Sequence, residues 1–302
     1  MSEKQSGEGE TVGLVGLGNA GSAMVGPLLR HATLVAYDID ARRVEDATAR
    51  GAQPASSPAD LAARAKVILF SLPAPEISHG VARAMREALT DRHVIVECST
   101  VTPNDIAALR EICAPHGTAL VDAAVMGGVD KLAKGETTFA VGAEETDFAR
   151  VRPVLDALAE AVFHLGPLGA GMGAKLINNA VMHGLMVLLV EAAALARTMN
   201  VPLPTLYDLL NLEAGLTRPL HHRLGDRIMN GRFEGGMSTA NARKDSQLIL
   251  DMAQAEKVPL FVLPAAHTVY EIGMAEGLAE LDYASIAKLW ERWLGRPLGG
   301  AG

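Results

Sequence analysis

The chain has 302 residues, of which 49% are hydrophobic and 21% charged, and its formal net charge is −8. This length accommodates two domains with a core each, and the composition is that of a soluble globular protein. The negative charge argues against a nucleic-acid surface, and the two cysteines, Cys98 and Cys113, argue against a secreted disulfide framework and for the reducing cytoplasm.

Residues 1–10 are polar and contain glycine, without an apolar run. We expect a disordered tail there, because such a segment can bury little apolar surface. The pattern is that of neither a signal peptide nor a membrane span.

Residues 11 to about 165 alternate short apolar runs with helical segments. The runs cover residues 11–16, 33–37, 67–72, 93–98, 119–122 and 138–141. This alternation is typical of βαβ units that build a mostly parallel sheet. We therefore predict an α/β fold that begins with a Rossmann-type, doubly wound domain over residues 11–168.

The first apolar run ends in a G-x-G-x-x-G pattern, after which a helix is expected from Ser22 to Arg30. The residues of the pattern are Gly16, Leu17, Gly18, Asn19, Ala20 and Gly21. In a dinucleotide site such glycines permit a tight turn, the approach of backbone N–H groups to a pyrophosphate, and close packing of helix on strand. The pattern alone is weak, but Asp38 follows twenty residues after Gly18, where a carboxylate can accept the ribose hydroxyls. The sequence thus predicts a nicotinamide dinucleotide site, and the alternative is a glycine-rich turn beside an ordinary surface aspartate.

Asp38 also predicts NAD rather than NADP as the cofactor. Its carboxylate would repel the 2′-phosphate of NADP, which needs an arginine close by. The first arginines after Asp38 are Arg42 and Arg43, four and five residues on. Leu72 and Pro73 end another apolar run, and we expect them to contact the cofactor at the carboxyl edge of the sheet.

A long apolar helix is predicted over residues 169–200. Lys175 and Asn179 are four residues apart near its start and so lie on one face. His183 and Glu191 within it favour a buried helix of a soluble protein over a membrane span. Its apolar surface exceeds what one side of a sheet can cover, so we expect a homodimer or a larger homo-oligomer.

Beyond this inter-domain helix the strand pattern vanishes. Helices are predicted over residues 204–210, 218–229, 238–256, 264–276 and 283–294, which gives an all-α domain for residues 201–302. Within it Arg218, His221, His222 and Arg223 form a basic cluster. The cluster could steer an anionic substrate or could be a solvated face.

Four blocks and one pair of residues carry a resemblance to a known family. The blocks are residues 16–21 (GLGNAG), 97–100 (ECST), 122–128 (DAAVMGG) and 171–179 (GMGAKLINN), and the pair is Lys244-Asp245. With these motifs in this order, the chain resembles the β-hydroxyacid dehydrogenase family over nearly its whole length. That family includes 3-hydroxyisobutyrate, tartronate semialdehyde and 4-hydroxybutyrate enzymes.

The resemblance implies roles for residues of the first half. Lys175 matches the catalytic lysine, and Asn179 matches a residue that helps to hold the substrate. Gly127 and Gly128 match a turn whose backbone amides receive the substrate carboxylate. Thr100 lies where the family has a hydroxyl near the nicotinamide.

The resemblance also reaches the second half and shows two departures. Lys244 matches a lysine that closes over the cofactor, and Asp245 is expected to help position that lysine and the substrate. Met126 stands where relatives usually have serine, and Met237 where an aromatic residue often lines the pocket. Methionine is flexible and donates no hydrogen bond. Both substrate-binding positions are therefore softer here, and the usual small substrates are in doubt.

These observations predict an NAD-dependent dehydrogenase that oxidises a 3-hydroxy acid or a related small hydroxy acid, or reduces the matching carbonyl compound. Alcohol oxidation releases a hydride and a proton, and Lys175 would take the proton. Two alternatives stay open: an NADPH-dependent imine reductase, although such enzymes generally lack lysine at the position of Lys175, and a non-catalytic dinucleotide-binding protein. The spacing of metal ligands is absent, and neither nucleic acid nor a membrane is expected as a partner.

Overall fold

The computed structural model describes residues 11–212 and 216–299. Residues 1–10, for which we expect a disordered tail, lie outside this range. By its internal contacts the chain divides between Asn179 and Ala180 into two compact units. We name them the sheet unit, which ends at Asn179, and the helical unit, which begins at Ala180.

The sheet unit is built on one sheet of eight strands. They are β1 (Thr11–Val15), β2 (Thr33–Tyr37), β3 (Gln53–Pro54), β4 (Val67–Phe70), β5 (Val94–Glu97), β6 (Ala119–Val125), β7 (Thr137–Gly142) and β8 (Ala159–His164). Their order is β3-β2-β1-β4-β5-β6-β7-β8, and every pair is parallel except β6 with β7. The chain runs from β1 outwards to one side and then returns to β4 on the other side. The carboxyl ends of β1 and β4 therefore border the place where doubly wound sheets bind ligands.

Helices cover both faces of the sheet. They are α1 (Asn19–Leu29), α2 (Ala41–Ala49), α3 (Pro58–Arg64), α4 (Pro75–Met85), α5 (Pro103–Cys113), α6 (Val129–Lys134), α7 (Glu145–Asp156) and the start of α8 (Ala170–Thr198). Val12 and Leu14 of β1 belong to the core shared with α1, α2, α6 and α7. Val15 and Ile68 belong to the opposite core, with α3, α4 and α5. Strands covered on both faces consist mostly of apolar residues, which explains the apolar runs in the sequence.

The predicted class of fold is confirmed, with differences at its margins. The pattern missed β3, which has two residues, and β8, whose side chains are half-buried or exposed. Both lie at the edges of the sheet, where strands show weak apolar patterns because they have one neighbour. The first helix begins at Asn19 rather than Ser22, since Gly18 is its extended N-cap.

The helical unit contains the rest of α8 and four more α-helices. These are α9 (Leu203–Asn211), α10 (Thr239–Ala255), α11 (Val262–Ala275) and α12 (Ala287–Leu294). The prediction of one regular helix over residues 218–229 is wrong: Pro219–Gly225 is a π-helix and Ile228–Asn230 a 3-10 turn. Tertiary contacts compete with regular winding here, because two arginines of this segment form ion pairs with the fully buried Asp282. Residues 283–294 likewise begin with a 3-10 turn before α12.

In the part of the chain that the structure describes, α8 is long and apolar enough to cross a membrane by length and composition, with a mean hydropathy of 1.7 over its most apolar window. One such helix is weak evidence, because the mostly buried core helices of soluble proteins meet the same criterion. The expectation that this helix is buried is wrong within one chain, since only 11% of that window is buried. Glu191 in this helix is 5% exposed. Its Oε1 accepts hydrogen bonds from the backbone N–H groups of Phe261 and Val262 at the start of α11. The helix is thus tied to other elements of the helical unit.

Candidate active site

The turn after β1 can be made only with glycine at two positions. Gly16 has a φ of +91°, and a Cβ built there would overlap the carbonyl oxygen of Ser71 at the end of β4. A Cβ on Gly21 would overlap the carbonyl oxygen of Gly16. The first turn of α1 therefore packs directly against the chain that leaves β1.

A cavity of about 550 Å³ lies at the carboxyl ends of the central strands. Eight residues with predicted cofactor roles line it: Gly16, Gly18, Asn19, Ala20, Asp38, Leu72, Pro73 and Thr100. The other two residues of this unit with predicted cofactor roles, Leu17 and Gly21, do not line the cavity but support its wall. The Leu17 N–H donates to Asp38, and Gly21 allows the close packing of the turn. The fold therefore brings residues from the ends of β1, β2, β4 and β5 into one pocket.

Asp38 is held in this cavity by backbone groups. Its Oδ2 accepts from the Leu17 N–H at 2.7 Å and its Oδ1 from the Asp40 N–H at 2.9 Å. Each carboxylate oxygen keeps a second lone pair for another donor. Arg43 also lines the cavity, and its guanidinium lies 3.5 Å from Asp38 Oδ2. Sequence distance had placed this arginine away from the site, but the first turn of α2 returns it to the pocket.

A buried acid for which the sequence predicted no role supports the cavity wall. Glu97 ends β5 and is fully buried, and burial raises the pKa of its carboxyl above the usual range. Its Oε1 accepts from the Ser99 N–H at 2.8 Å, and Ser99 Oγ accepts from the Leu72 N–H at 2.8 Å. The ends of β4 and β5 are thereby joined. The sequence signals for this link are an acid at the end of an otherwise apolar strand and the block of residues 97–100, which contains both Glu97 and Ser99.

These features fit a dinucleotide. The N-terminus of α1, with 11 residues, offers backbone N–H groups and a positive dipole end to a pyrophosphate. A Cβ on Gly18 would meet only Arg43, at 4.0 Å, so the protein itself does not require glycine there. Space for a ligand explains that glycine, and Asp38 offers the acceptor that an adenosine ribose needs.

The turn after β6 presents backbone donors. The Met126 N–H donates to the Thr138 carbonyl at 2.8 Å, which continues the pairing with β7. Gly128 has a φ of +78°. In residues 11–212 and 216–299 the N–H groups of Gly127 and Gly128 have no hydrogen-bond acceptor. Two adjacent free amides can bind a carboxylate.

Lys175 and Asn179 lie in the second and third turns of α8 and are half-buried. Among the described residues Lys175 has neither an ion-pair partner nor a hydrogen-bond partner. An amine on a rigid helix without a fixed partner is available for proton transfer to or from a bound molecule. No group of three or more His, Cys, Asp and Glu residues that could hold a metal occurs in the described ranges.

The remaining predicted residues belong to the helical unit. The Lys244 amine lies 2.9 Å from Asp245 Oδ1, and 62% of the lysine side chain is exposed. These two neighbours form an ion pair on the surface of α10, and the roles expected for them towards cofactor and substrate stay predictions. Met237 lines a separate cavity of about 800 Å³ in the same unit.

Four arginines line this second cavity: Arg218, Arg223, Arg227 and Arg232. Asp282, fully buried, lies 3.2 Å from Arg223 Nε and 3.3 Å from Arg227 Nε. Arg218 has no ion-pair partner among the described residues. Arg218, His222 and Arg223 of the basic cluster are thus part of a cavity wall that also contains Asp226 and Glu234.

Comparison with known proteins agrees with this geometry. Residues 11–166 match the family model of the NAD binding domain of 6-phosphogluconate dehydrogenase, and residues 169–290 match the NAD-binding model of NADP-dependent 3-hydroxyisobutyrate dehydrogenase. The chain is 30% identical to 2-(hydroxymethyl)glutarate dehydrogenase from Eubacterium barkeri over 96% of this chain and 97% of that protein.

Solved structures place the chain in the same group. The structure of Mycobacterium tuberculosis 3-hydroxyisobutyrate dehydrogenase with L-serine is 27% identical, with a TM-score of 0.67 over 93% of this chain and 99% of that one. An imine reductase variant from Myxococcus stipitatus, in complex with NAD+, has a TM-score of 0.86 over the same shares but only 20% identity, which shows a common fold alone. The family models, the relatives at higher identity and the geometry of the site all indicate the same family. The chain belongs to the β-hydroxyacid dehydrogenases of the 3-hydroxyisobutyrate dehydrogenase type and is an NAD(P)-dependent oxidoreductase that acts on the CH–OH group of hydroxy acids.

Proposed function

We propose that the protein uses NAD to oxidise the primary alcohol of a 3-hydroxy acid to the semialdehyde, with Lys175 as the proton-transfer group. The observation that carries this proposal is that three features of a dehydrogenase site occur together in the sheet unit. One compact unit holds a pocket that fits a dinucleotide, two free amides that can receive a carboxylate, and the half-buried Lys175.

The residues divide the reaction among them. Bound NAD supplies the hydride acceptor. The amides of Gly127 and Gly128 orient the substrate by its carboxylate, and Asn179 assists from the face of α8 that carries Lys175. Lys175 removes the hydroxyl proton as the carbonyl forms. In the reductive direction, protonated Lys175 stabilises the alkoxide and returns the proton.

The choice of NAD rests on Asp38. Its buried carboxylate, 6% exposed, is fixed where the ribose 2′-oxygen of the cofactor would bind, and a 2′-phosphate would bring like charges together. Arg43, 3.5 Å away, offsets part of this repulsion, so we expect a preference rather than a strict exclusion.

The substrate class follows from chemistry that the relatives share. 2-(Hydroxymethyl)glutarate, 3-hydroxyisobutyrate and L-serine all have the form HOCH2–CH(R)–COO−, with different R groups. The relative that is 30% identical to this chain is named for 2-(hydroxymethyl)glutarate, in which R ends in a second carboxylate. We therefore propose a hydroxymethyl dicarboxylate as the preferred substrate.

A panel of hydroxy acids with NAD and with NADP tests both proposals. We expect kcat/KM for 2-(hydroxymethyl)glutarate to exceed that for 3-hydroxyisobutyrate and L-serine by about tenfold or more, which is about 1.4 kcal/mol of transition-state binding. NAD should exceed NADP by a similar factor. Equal values for the three acids would refute the dicarboxylate proposal, and faster turnover with NADP would refute the role given to Asp38.

We further propose that the protein is a homodimer or a larger homo-oligomer. Much of the apolar surface of α8 is uncovered within one chain, with Val181 64%, Met186 58% and Val190 56% exposed. Met186 and Val190 border an apolar groove of about 350 Å³ together with Phe261, which is 74% exposed. A continuous exposed apolar surface of this kind is typical of an interface between subunits, and the cover proposed here is a second copy of the chain.

Light scattering after size-exclusion chromatography tests this proposal. The wild type should show at least twice the chain mass of 31.7 kDa. Met186→Glu and Val190→Glu should shift it towards the monomer, because each buries a charge in the interface. Leu165→Glu, at an exposed position of the sheet unit, should leave the mass unchanged. A monomeric wild type at micromolar concentration would overturn the proposal.

We also propose a cytoplasmic location without nucleic-acid or membrane partners. Both cysteines are buried free thiols, which suits a reducing compartment, and the net charge of −8 disfavours anionic polymers. Fractionation of cells that express the tagged protein would test it.

A further inference from the structure

The end of β6 and the beginning of α8 are joined by a buried carboxylate. Asp122 is fully buried. Its Oδ1 accepts from the Gly169 N–H at 2.6 Å, and its Oδ2 accepts from the Met172 N–H at 2.7 Å. The first N–H groups of a helix have no acceptor within the helix. A strand residue forty-seven positions earlier than Gly169 supplies those acceptors and fixes the entry of α8.

Glycines allow α8 to approach the sheet this closely. A Cβ on Gly142 of β7 would overlap Asp122 Oδ1, and a Cβ on Gly171 would overlap the carbonyl oxygen of Ala140. Met172 is fully buried in the core on that face of the sheet. The first turn of α8 is therefore held by hydrogen bonds, close backbone packing and a buried side chain.

The buried carboxylate of Asp122 is stabilised by backbone amides and not by an ion pair. Burial raises the pKa of its carboxyl, while hydrogen bonds from the amides of Gly169 and Met172 act in the opposite direction. Among the described residues no lysine, arginine or histidine forms an ion pair with it. Both of its oxygens accept N–H groups, which is the pattern of an ionised carboxylate at the positive end of a helix.

We propose that Asp122 is a positioning residue for the reaction, which fixes the first turn of α8 on the sheet and so sets the place of Lys175. Lys175 comes three residues after Met172 in this helix. The same strand end leads to Gly127 and Gly128, which bind the substrate carboxylate. One short segment thus determines the positions of both the bound substrate and the proton-transfer group. A shift of about 1 Å between reacting groups can cost about a hundredfold in rate. This inference rests on the role proposed for Lys175.

Asp122→Asn tests the inference with little change in shape. An amide NH2 would face one of the two backbone N–H groups, so one hydrogen bond is lost and two donors oppose each other. We expect kcat to fall by about ten- to a hundredfold and the Kd for NAD to stay within about twofold, because Asp122 does not line the cofactor cavity. The amides of Gly169 and Met172 should exchange hydrogen faster, a readout that does not depend on activity.

A double-mutant cycle with Lys175→Ala identifies the route of the effect. If Asp122 acts through Lys175, Asp122→Asn should lower kcat by no more than about twofold in the Lys175→Ala background. A full, additive loss in that background would overturn the inference. Wild-type turnover in Lys175→Ala itself would overturn the proposed function. A strong loss in Lys175→Ala with none in Asp122→Asn would overturn the positioning role alone.

Glu191→Gln is the matched control for lost stability. Glu191 is also a buried carboxylate that accepts N–H groups at the start of a helix, but that helix is α11. Its replacement should lower Tm without changing kcat at temperatures where the protein is folded. An equal loss of kcat in Glu191→Gln, or a parallel loss of NAD affinity in Asp122→Asn, would refute the inference. If Asp122→Asn fails to fold, Gly171→Ala disturbs the same contact with the carboxylate intact and should show the same loss of kcat at unchanged NAD affinity.

Discussion

Replacing Lys175 with alanine is expected to lower kcat by about 10²- to 10⁴-fold, the usual contribution of a positioned proton-transfer group. The Kd for NAD should change by less than about twofold, because Lys175 does not line the cavity that fits the dinucleotide. Steady-state kinetics with the best hydroxy acid of the panel and a direct titration of NAD measure the two quantities separately. Near wild-type turnover would remove Lys175 from the mechanism.

Two further variants separate the charge of Lys175 from its proton. Lys175→Arg keeps a cation, but a guanidinium does not give up its proton near neutral pH. We therefore expect Lys175→Arg to be nearly as slow as Lys175→Ala. Lys66→Ala is the control, because Lys66 is exposed and precedes β4, at the amino end of the sheet. Substantial activity in Lys175→Arg would show that a positive charge suffices.

Replacing Gly16 with alanine is expected to damage both stability and cofactor binding. At a φ of +91° a non-glycine residue is strained by about 1–3 kcal/mol, and the added Cβ would overlap the Ser71 carbonyl. The turn must shift, so the N-terminus of α1 no longer meets the pyrophosphate. We expect Tm to fall by about 5 °C or more and the Kd for NAD to rise by about thirtyfold or more, about 2 kcal/mol.

Other glycines provide matched controls for this result. Gly18→Ala adds a Cβ that meets only Arg43, at 4.0 Å, so Tm should hold while NAD binding weakens. Gly80→Ala adds a Cβ with no neighbour within 4 Å, inside helix α4, and should be neutral or stabilising by up to about 1 kcal/mol. Equal losses in all three would mean that the turn has no special part in binding.

The order of elements could be predicted because local patterns carry it. Apolar runs correspond to strands covered on both faces, and the central strands from β1 to β7 lie where those runs occur, apart from the two-residue β3. Edge strand β8 has exposed side chains on part of its length, and its pattern is correspondingly weak. The π-helix at Pro219–Gly225 could not be predicted, because it accompanies ion pairs with Asp282, which is far along the chain.

The candidate site shows the same division. The motif and its spacing placed Gly16, Gly18 and Asp38 in a cofactor site, and the fold brings them together in one cavity. The same reasoning left Arg43 outside the site, yet α2 turns it back towards Asp38. The sequence left two interpretations of Arg218 open, a solvated residue or a contact for an anionic substrate, and in the structure it lines a cavity.

The sequence by itself determined the class of fold, the dinucleotide motif and the lysine helix, because each depends on residues close together in the chain. Tertiary structure alone decided which distant groups hold that helix and line those cavities. Asp122 accepts hydrogen bonds from amides forty-seven and fifty residues away, and Glu97 joins two strand ends through Ser99. Such buried polar links require acceptors and donors from separate segments, and no local pattern of residues records which segments will meet.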